Sequence, residues 1–433
     1  MPGPNILYVH SHDTGRYVQP YGHAVPTPNI QRLAEQGILF RQAFCANPTC
    51  SASRAALLTG RWPHCSGMIG LAHRGFKLND YGQHIVHTLR RAGYHSVLAG
   101  VQHVAGPATD IGYDEILDIG PDARSPEFSE AVAEHIRGGM KQPFFLSVGY
   151  GLTHRVFPEP GVEEDERYCL PPAPLPDTPR TRHDMACFKA AARQLDEGMG
   201  TVLAALDAAG LAGNTLVICT TDHGIAFPAM KCNLTHHGAG VMLILRGPGG
   251  FAGGKVCDAL VSHVDVFPTI CELLGMERPG WLQGESMMPL MRGEADEIRE
   301  ELFIEVTYHA AYEPMRAVRT KRHSYVRRFD GRCSPVLANC DASQSKDVWL
   351  EAGWKDIAPD AEQLYDLAFD PNEVRNLADE AAYAEVLNDM RGRLDRYMRQ
   401  TDDPLLEGPV PMPEGTWAND PDDLHPSGRQ TSG

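Results

Sequence analysis

Short apolar runs alternate along this chain with stretches whose apolar residues recur at helical spacing, and this alternation restricts the fold more than any other feature. Residues 5–9, 96–99, 143–149, 215–220 and 241–245 read as strands. Residues 29–36, 188–208 and 265–274 carry a 3.6-residue period, the last after a Val-Asp start suited to capping. Strands spaced by helices close as βαβ crossovers, so the pattern predicts an α/β fold with a mixed, mostly parallel sheet flanked by helices. Such sheets place ligands at the carboxyl ends of their strands, and site residues are to be sought there.

From about residue 300 the pattern changes. Residues 302–306, 315–320 and 323–329 predict a short antiparallel set, and 381–399 a late helix. The reading therefore divides the chain into a catalytic domain over 1–300, a C-terminal α+β subdomain over 301–400 and an extended tail over 401–433. The tail is long enough to reach a neighbouring subunit of a homo-oligomer. Residues 158–179, rich in Pro and acid, are expected to form an excursion loop.

Composition excludes several function classes. The 433 residues hold 39 Lys+Arg against 56 Asp+Glu, a formal charge of −17, which argues against nucleic-acid binding through a broad basic face. A charged fraction of 22% and a hydrophobic fraction of 42% are globular values and exclude wholesale disorder. No apolar run approaches the roughly 20 residues that span a bilayer, so no membrane partner is expected. The eleven cysteines form no CxxC pair and fit scattered thiols in a reducing compartment. With no charged and then apolar leader before the first strand, the expected location is cytoplasmic.

The densest chemical signal is Asn47-Pro-Thr-Cys50-Ser-Ala-Ser-Arg54-Ala-Ala-Leu-Leu-Thr59-Gly60-Arg61. It puts a sulfur at a helix N-terminus one turn from a cation, and both features lower a thiol pKa and attract anions. A reactive, anion-facing Cys50 and a merely buried thiol both remain open on these residues alone. A second cluster, Asp222-His223-Gly224, follows a strand and offers one oxygen and one nitrogen to a cation, or else a structural hydrogen-bonded pair. The first strand ends in His10-Ser-His12-Asp13. Lys231 follows Asp222 by nine residues, and His154 follows the strand near 144–148.

The stretch around Cys50 resembles the sulfatase signature, Cys-x-Pro/Ala-Ser-Arg followed by Leu-Thr-Gly-Arg. The resemblance extends over about residues 5–380 and includes the terminal signature around Tyr365-Asp366 and Asp370-Pro371-Asn372. It implies an alkaline-phosphatase-like fold and an enzyme, a sulfuric ester or sulfamate hydrolase, nearest the heparan N-sulfatase branch. In that family the cysteine is oxidised by a formylglycine-generating maturation enzyme. Ala52 stands where Pro is commoner, which bears on the choice of maturation system.

The resemblance further implies roles for particular residues. His12, Asp13, Asp222 and His223, with the group made from Cys50, would hold one divalent cation. Two carboxylates alone suit Ca²⁺, whereas imidazoles at His12 and His223 favour Mn²⁺ or Zn²⁺, so the metal stays open. His12 is alternatively a histidine capping the strand end beside the site. Asp222 would activate the formylglycine diol, Arg54 and Lys231 would stabilise sulfate charge, His154 would protonate the leaving atom, and His103 would help expel sulfate. Val101 replaces a family lysine, so either Lys231 and Arg54 hold the substrate with less help, or Gln102 or a residue from elsewhere compensates. His309 and Arg316 would face the non-reacting part of the substrate.

The implied substrate is a small sulfated molecule, a sugar sulfate or sulfamate, because the chain's overall negative field repels a long polyanion. The alternative is a phosphonate or phosphate ester hydrolase of the same superfamily. A non-catalytic anion-binding relative, with Cys50 unoxidised, is the third reading.

Overall fold

In a computed structural model, which describes residues 3–120 and 122–426, the run at 5–9 becomes β1 (Asn5–Ser11), with all seven residues buried. Burial on both faces explains why it reads as continuously apolar rather than alternating. Seven further strands join it: β2 (Ile38–Phe44), β3 (His95–Gly100), β4 (Glu115–Ile116), β5 (Phe144–Gly149), β6 (Thr215–Thr221), β7 (Leu243–Arg246) and β8 (Lys255–Ser262). Their order is β4-β3-β5-β1-β6-β7-β2-β8. Every pairing is parallel except those of β7, which runs antiparallel to both β6 and β2. The sheet is thus mixed and mostly parallel, with helices and apolar cores on both faces, as the alternation predicts.

Three of these strands escape the sequence pattern, β4 because it is only two residues long and β2 and β8 for a visible reason. β2 carries Arg41 and Gln42 in its middle, and the first half of β8 is largely exposed, so neither presents an unbroken apolar run. The helix expected at 188–208 is Pro179–Ala208, starting nine residues earlier. Its first turns are polar, and Thr178 caps it by accepting from the Thr181 amide at 3.2 Å. Asp265 does not cap the following helix with its side chain; it accepts instead from the Ser262 and Glu285 amides, both at 2.7 Å, and pairs with Arg299.

A second sheet is wholly antiparallel, in the order β12-β11-β10-β9, formed by β9 (Glu301–Tyr308), β10 (Tyr312–Thr320), β11 (His323–Arg328) and β12 (Glu362–Asp366). The helix Ala384–Gln400 packs on it through Leu387, Met390, Leu394 and Met398. Residues 401–426 run back over the body of the chain. Tyr308 donates to the Val410 carbonyl at 2.9 Å, and the Arg74 guanidinium lies 4.0 Å from the Trp417 ring centre. Among the described residues no helix is long and apolar enough to cross a membrane.

Candidate active site

Four adjacent strands, β3, β5, β1 and β6, deliver their carboxyl ends to one place. His103 follows β3, His154 follows β5, His12 and Asp13 follow β1, and Asp222 and His223 follow β6. Cys50 joins them as the first residue of the helix Cys50–Thr59, every residue of which is buried. Alanines let that helix pack closely, and Gly60 ends it in the left-handed conformation at φ 65°. Ser53 ties the helix to the site by donating to the Asp222 carbonyl at 2.5 Å.

His12, Asp13, Cys50, Asp222 and His223 each contribute one donor atom to a cluster in which all five lie within 4.8 Å of one another. His223 Nδ1 lies 2.9 Å from the Gly224 carbonyl oxygen, so Nδ1 carries the proton and Nε2 turns its lone pair inward. Nε2 is 3.4 Å from Cys50 Sγ and 3.2 Å from Asp13 Oδ1. His12 Nδ1 is 2.8 Å from Asp13 Oδ1 and 3.1 Å from Asp222 Oδ2. Converging lone pairs on two carboxylates and two imidazoles fit a divalent cation. The Asp13 backbone is held at φ 56°, a left-handed conformation costing on the order of 1–3 kcal/mol that sites tolerate when the surroundings fix it. Gly224 is required by a close approach of chains: a Cβ there would lie 1.9 Å from the His237 carbonyl oxygen.

Two cations balance the carboxylates. Arg54 Nη2 donates to Asp222 Oδ2 at 2.9 Å and to the Ser11 carbonyl at 3.0 Å, while Nη1 lies 2.5 Å from His10 Nδ1. Lys231 Nζ lies 2.9 Å from Asp13 Oδ2, 3.1 Å from Asp341 Oδ2 and 3.4 Å from His154 Nε2. Burial opposes ionisation of Asp13, but Lys231, His154 and His223 outweigh it and hold the carboxyl well below its usual range. Asp222 is held low in the same way against burial, by His223, His12 and Arg54. Burial pushes His12 down to about 4, against the pull of Asp222 and Asp13, so its ring is neutral near pH 7.

The environment of Cys50 corrects the expectation of a lowered thiol pKa. Burial, with Asp13 and Asp222 nearby, raises the thiol well above its ordinary value against the opposing Lys231 charge. Desolvation outweighs the helix terminus, and the thiol itself is protonated and a poor nucleophile.

His154 Nδ1 is 2.6 Å from the Arg155 carbonyl oxygen, which leaves Nε2 facing Lys231 and, at 3.9 Å, Asp13 Oδ2. His103 stacks on His73, with His103 Nε2 2.9 Å from His73 Nδ1, and burial with the charges of His12 and Arg54 keeps it neutral. Gln102 does not fill the place left by Val101. Its side chain closes its own loop, donating to the Ala105 carbonyl at 2.8 Å and accepting from the Val104 and Ala105 amides. His309 is buried with Nδ1 unpaired, and its pKa is lowered by burial and then by Lys231. Arg316 is a correction: it is fully buried, forks onto Asp403 at 2.5 and 3.1 Å and donates to the Val306 carbonyl, so none of it is free to face a substrate. Asp341 and His73 are site residues that no sequence motif marks: Asp341 pairs with Lys231, and His73, in the 3-10 helix Ala72–Arg74, reaches His103.

Comparison with known proteins follows the same outline. The family model described as Sulfatase matches residues 4–276, and that described as N-sulphoglucosamine sulphohydrolase, C-terminal, matches residues 232–333. The chain is 29% identical to the human N-sulphoglucosamine sulphohydrolase over 94% of its own length and 92% of that protein's. A solved structure described as in complex with its substrate D-glucosamine-2-N,6-O-disulfate superposes with a TM-score of 0.69 at 18% identity, covering 93% of this chain and 98% of that one. The phosphonate monoester hydrolase of Agrobacterium radiobacter superposes with a TM-score of 0.67 at 21% identity, covering 92% and 96%. At these identities both structural likenesses speak to the fold alone.

Proposed function

Because the chain belongs to the sulfatase family, hydrolysing a sulfate ester or sulfamate, we propose that its substrate is a small sugar sulfate and foremost a glucosamine N-sulfate. The observation that carries this reading is the placement of Cys50 Sγ inside the Asp13–Asp222–His12–His223 cluster with Arg54 and Lys231 on either side. The relative described as a sulphoglucosamine sulphohydrolase, matched along nearly its whole length, supports the choice of sugar.

When present, formylglycine made from Cys50 supplies a hydrated aldehyde as nucleophile, and a divalent cation supplies Lewis-acid polarisation of the sulfuryl oxygens. Asp13, Asp222, His12 Nδ1 and His223 Nε2 would hold that cation; two imidazole nitrogens in the donor set support Mn²⁺ or Zn²⁺ over Ca²⁺. Lys231 and Arg54 bind the transferring group and offset its charge as the ester or sulfamate bond breaks. In its doubly protonated form His154 delivers the Nε2 proton to the departing oxygen or nitrogen and is left with the Nδ1 proton held by the Arg155 carbonyl. Neutral His103 takes up the proton released when the sulfated enzyme reverts to its resting form. Burial of the cluster excludes bulk water from these steps.

The Asp222-His223 pair favours a second reading, a phosphonate or phosphate ester hydrolase. A phosphoryl group carries more charge than a sulfuryl group and calls for at least as many cations, and Val101 supplies none. Eleven unpaired cysteines support a reducing, cytoplasmic setting for either activity.

Mass spectrometry of the tryptic peptide 42–54 tests the nucleophile: conversion of the thiol to an aldehyde removes about 18 Da. The matured protein is then assayed on glucosamine N-sulfate, sugar O-sulfates and a phosphonate monoester. Preference for the N-sulfate is the expected result. An unshifted peptide from a host that matures Ala-type motifs, or turnover of the phosphonate alone, would overturn the proposal.

A further inference from the structure

A cavity of about 870 Å³ is lined by none of the residues of the Cys50 cluster. Its walls come from the loop after β1, the middle of β2, the residues 168–173, the helix Pro179–Ala208, and the far ends of β10 and β12. Five cationic side chains line it, Arg16, Arg41, Lys189, Arg319 and Lys321, and no carboxylate does among the described residues. In a chain of formal charge −17 this concentration of one sign runs against the average field.

Two of these cations have carboxylate partners, Lys321 with Glu297 and Arg319 with Glu373, whereas Arg16, Arg41 and Lys189 make no ion pair among the described residues. The Arg16 and Arg319 guanidiniums both lie over the Phe44 ring, 4.5 and 4.7 Å from its centre, so two like charges share one aromatic face. Glu373 pairs directly with only one of them, Arg319 at 3.0 Å, and with His236 at 2.9 Å, and acts on Arg16 only from a distance. Arg16 makes no ion pair among the described residues; it donates from Nη2 to the Ala43 carbonyl, and its buried Nε has no partner. Burial and then the Arg319 charge draw its pKa down to about 10, the behaviour of a cation lacking a counter-ion.

An independent observation concerns His237, which lines the same cavity and is 6% exposed. Its Nδ1 lies 3.0 Å from the Tyr17 hydroxyl, and its buried Nε2 has no partner. In the tautomer in which the phenol donates to Nδ1, Nε2 carries the proton and would be an unspent N–H donor in a cationic wall. Tyr168, 80% exposed on the rim, adds an aromatic face on which a sugar or base can rest. Leaving the His237 Nε2 and the Arg16 Nε buried and unpartnered is costly, and an oxyanion in the cavity would offer acceptors to these side chains.

We propose that this cavity is a second binding site, distinct from the catalytic cluster, for a small polyanion bearing two or more sulfate or phosphate groups. Arg16, Arg319 and His237 form its floor, while Arg41, Lys189 and Lys321 reach the outer groups of the ligand. The site stands on its own residues and does not depend on the state of Cys50.

The test is calorimetric titration of the full chain at about 0.15 M salt, where exposed charges are screened beyond roughly 8 Å. Sucrose octasulfate and inositol hexakisphosphate are the two probes. One ligand per chain is expected, with affinity reduced at least tenfold in Arg16→Gln and, separately, in the surface variant Arg41→Gln/Lys189→Gln. The second variant keeps the test decisive if Arg16→Gln folds poorly. Tighter binding of the sulfated probe assigns the site to sulfate esters, and tighter binding of the phosphorylated probe to phosphate esters. Arg137→Gln/Lys141→Gln, which removes equal charge off the cavity, and His154→Ala, in the catalytic cluster, are expected to bind as the parent does. Absence of binding, equal losses in the Arg137→Gln/Lys141→Gln control, or loss in His154→Ala with the cavity variants unaffected would overturn the proposal.

Discussion

Arg54 donates to Asp222 across 2.9 Å with both side chains closed off from water, so a helix residue and a strand-end carboxylate each hold the other in its charged form. Asp222 also faces His223 and His12, whereas Arg54 has no second carboxylate partner among the described residues. The pair therefore couples the helix bearing Cys50 to the end of β6, and its loss should be felt in both stability and activity.

Replacing Arg54 with Ala leaves Asp222 buried without its cation, for which a cost of about 3–5 kcal/mol is expected. The double variant Arg54→Ala/Asp222→Asn should recover part of that cost, because it removes the uncompensated charge. Urea unfolding midpoints of the two variants measure the difference; equal destabilisation would deny the coupling.

Lys231→Met removes the ammonium that Asp13 and Asp341 share. A fall in kcat/KM of about 100- to 1,000-fold is expected, the range for losing one preorganised group that stabilises developing charge. Asp341→Asn should change activity less and in the same assay, since Lys231 keeps Asp13 as its partner. Steady-state kinetics on the preferred sulfated sugar check both.

Cys50→Ala should abolish turnover while leaving stability within about 1 kcal/mol of the parent, because the thiol it removes is neutral and small. Thermal unfolding alongside the activity assay separates the two effects. A large drop in Tm would mean that Cys50 serves chiefly in packing.

His64 gives a pH-dependent prediction. Its Nδ1 lies 2.5 Å from Glu305 Oε2, and although burial opposes protonation, the carboxylate raises the imidazole to about 10. A folded pKa above the unfolded value of about 6.5 means that the folded state binds the extra proton, so the contribution is complete below pH 6.5 and is lost as pH rises through 10. The Tm gap between the parent and His64→Gln should therefore be wide at pH 6 and narrow at pH 10. A gap independent of pH would deny it.

Chelation should cost stability as well as activity. Without a cation the lone pairs of Asp13, Asp222, His12 and His223 converge on one another, and like carboxylates repel. Dialysis against EDTA is expected to lower Tm and turnover together, and re-addition of Mn²⁺ or Zn²⁺ to restore both more fully than Ca²⁺. Better recovery with Ca²⁺ would mean that the carboxylates alone dominate the site.

The sequence by itself determined the sheet's hydrophobic strands, their mostly parallel crossovers and the motif around Cys50, because these are local: apolar runs, helical periods and fixed spacings are written along the chain. Strand ends carry Asp13, His154 and Asp222 to one place for the same reason, since neighbouring parallel strands present the same edge. Tertiary structure alone decided the rest. Asp341, His73 and the Arg16–Arg319 cavity are assembled from residues with no common spacing, and β2 and β8 lack an unbroken apolar run because part of each faces water or a polar wall. It also decided the state of Cys50, where desolvation, a property of everything packed around the helix terminus, outweighs the helix and cation that its neighbours in sequence provide. Arg316 looked free in the sequence and is spent on Asp403, 87 residues further along the chain, because burial forces a charge to find its partner wherever the fold brings one.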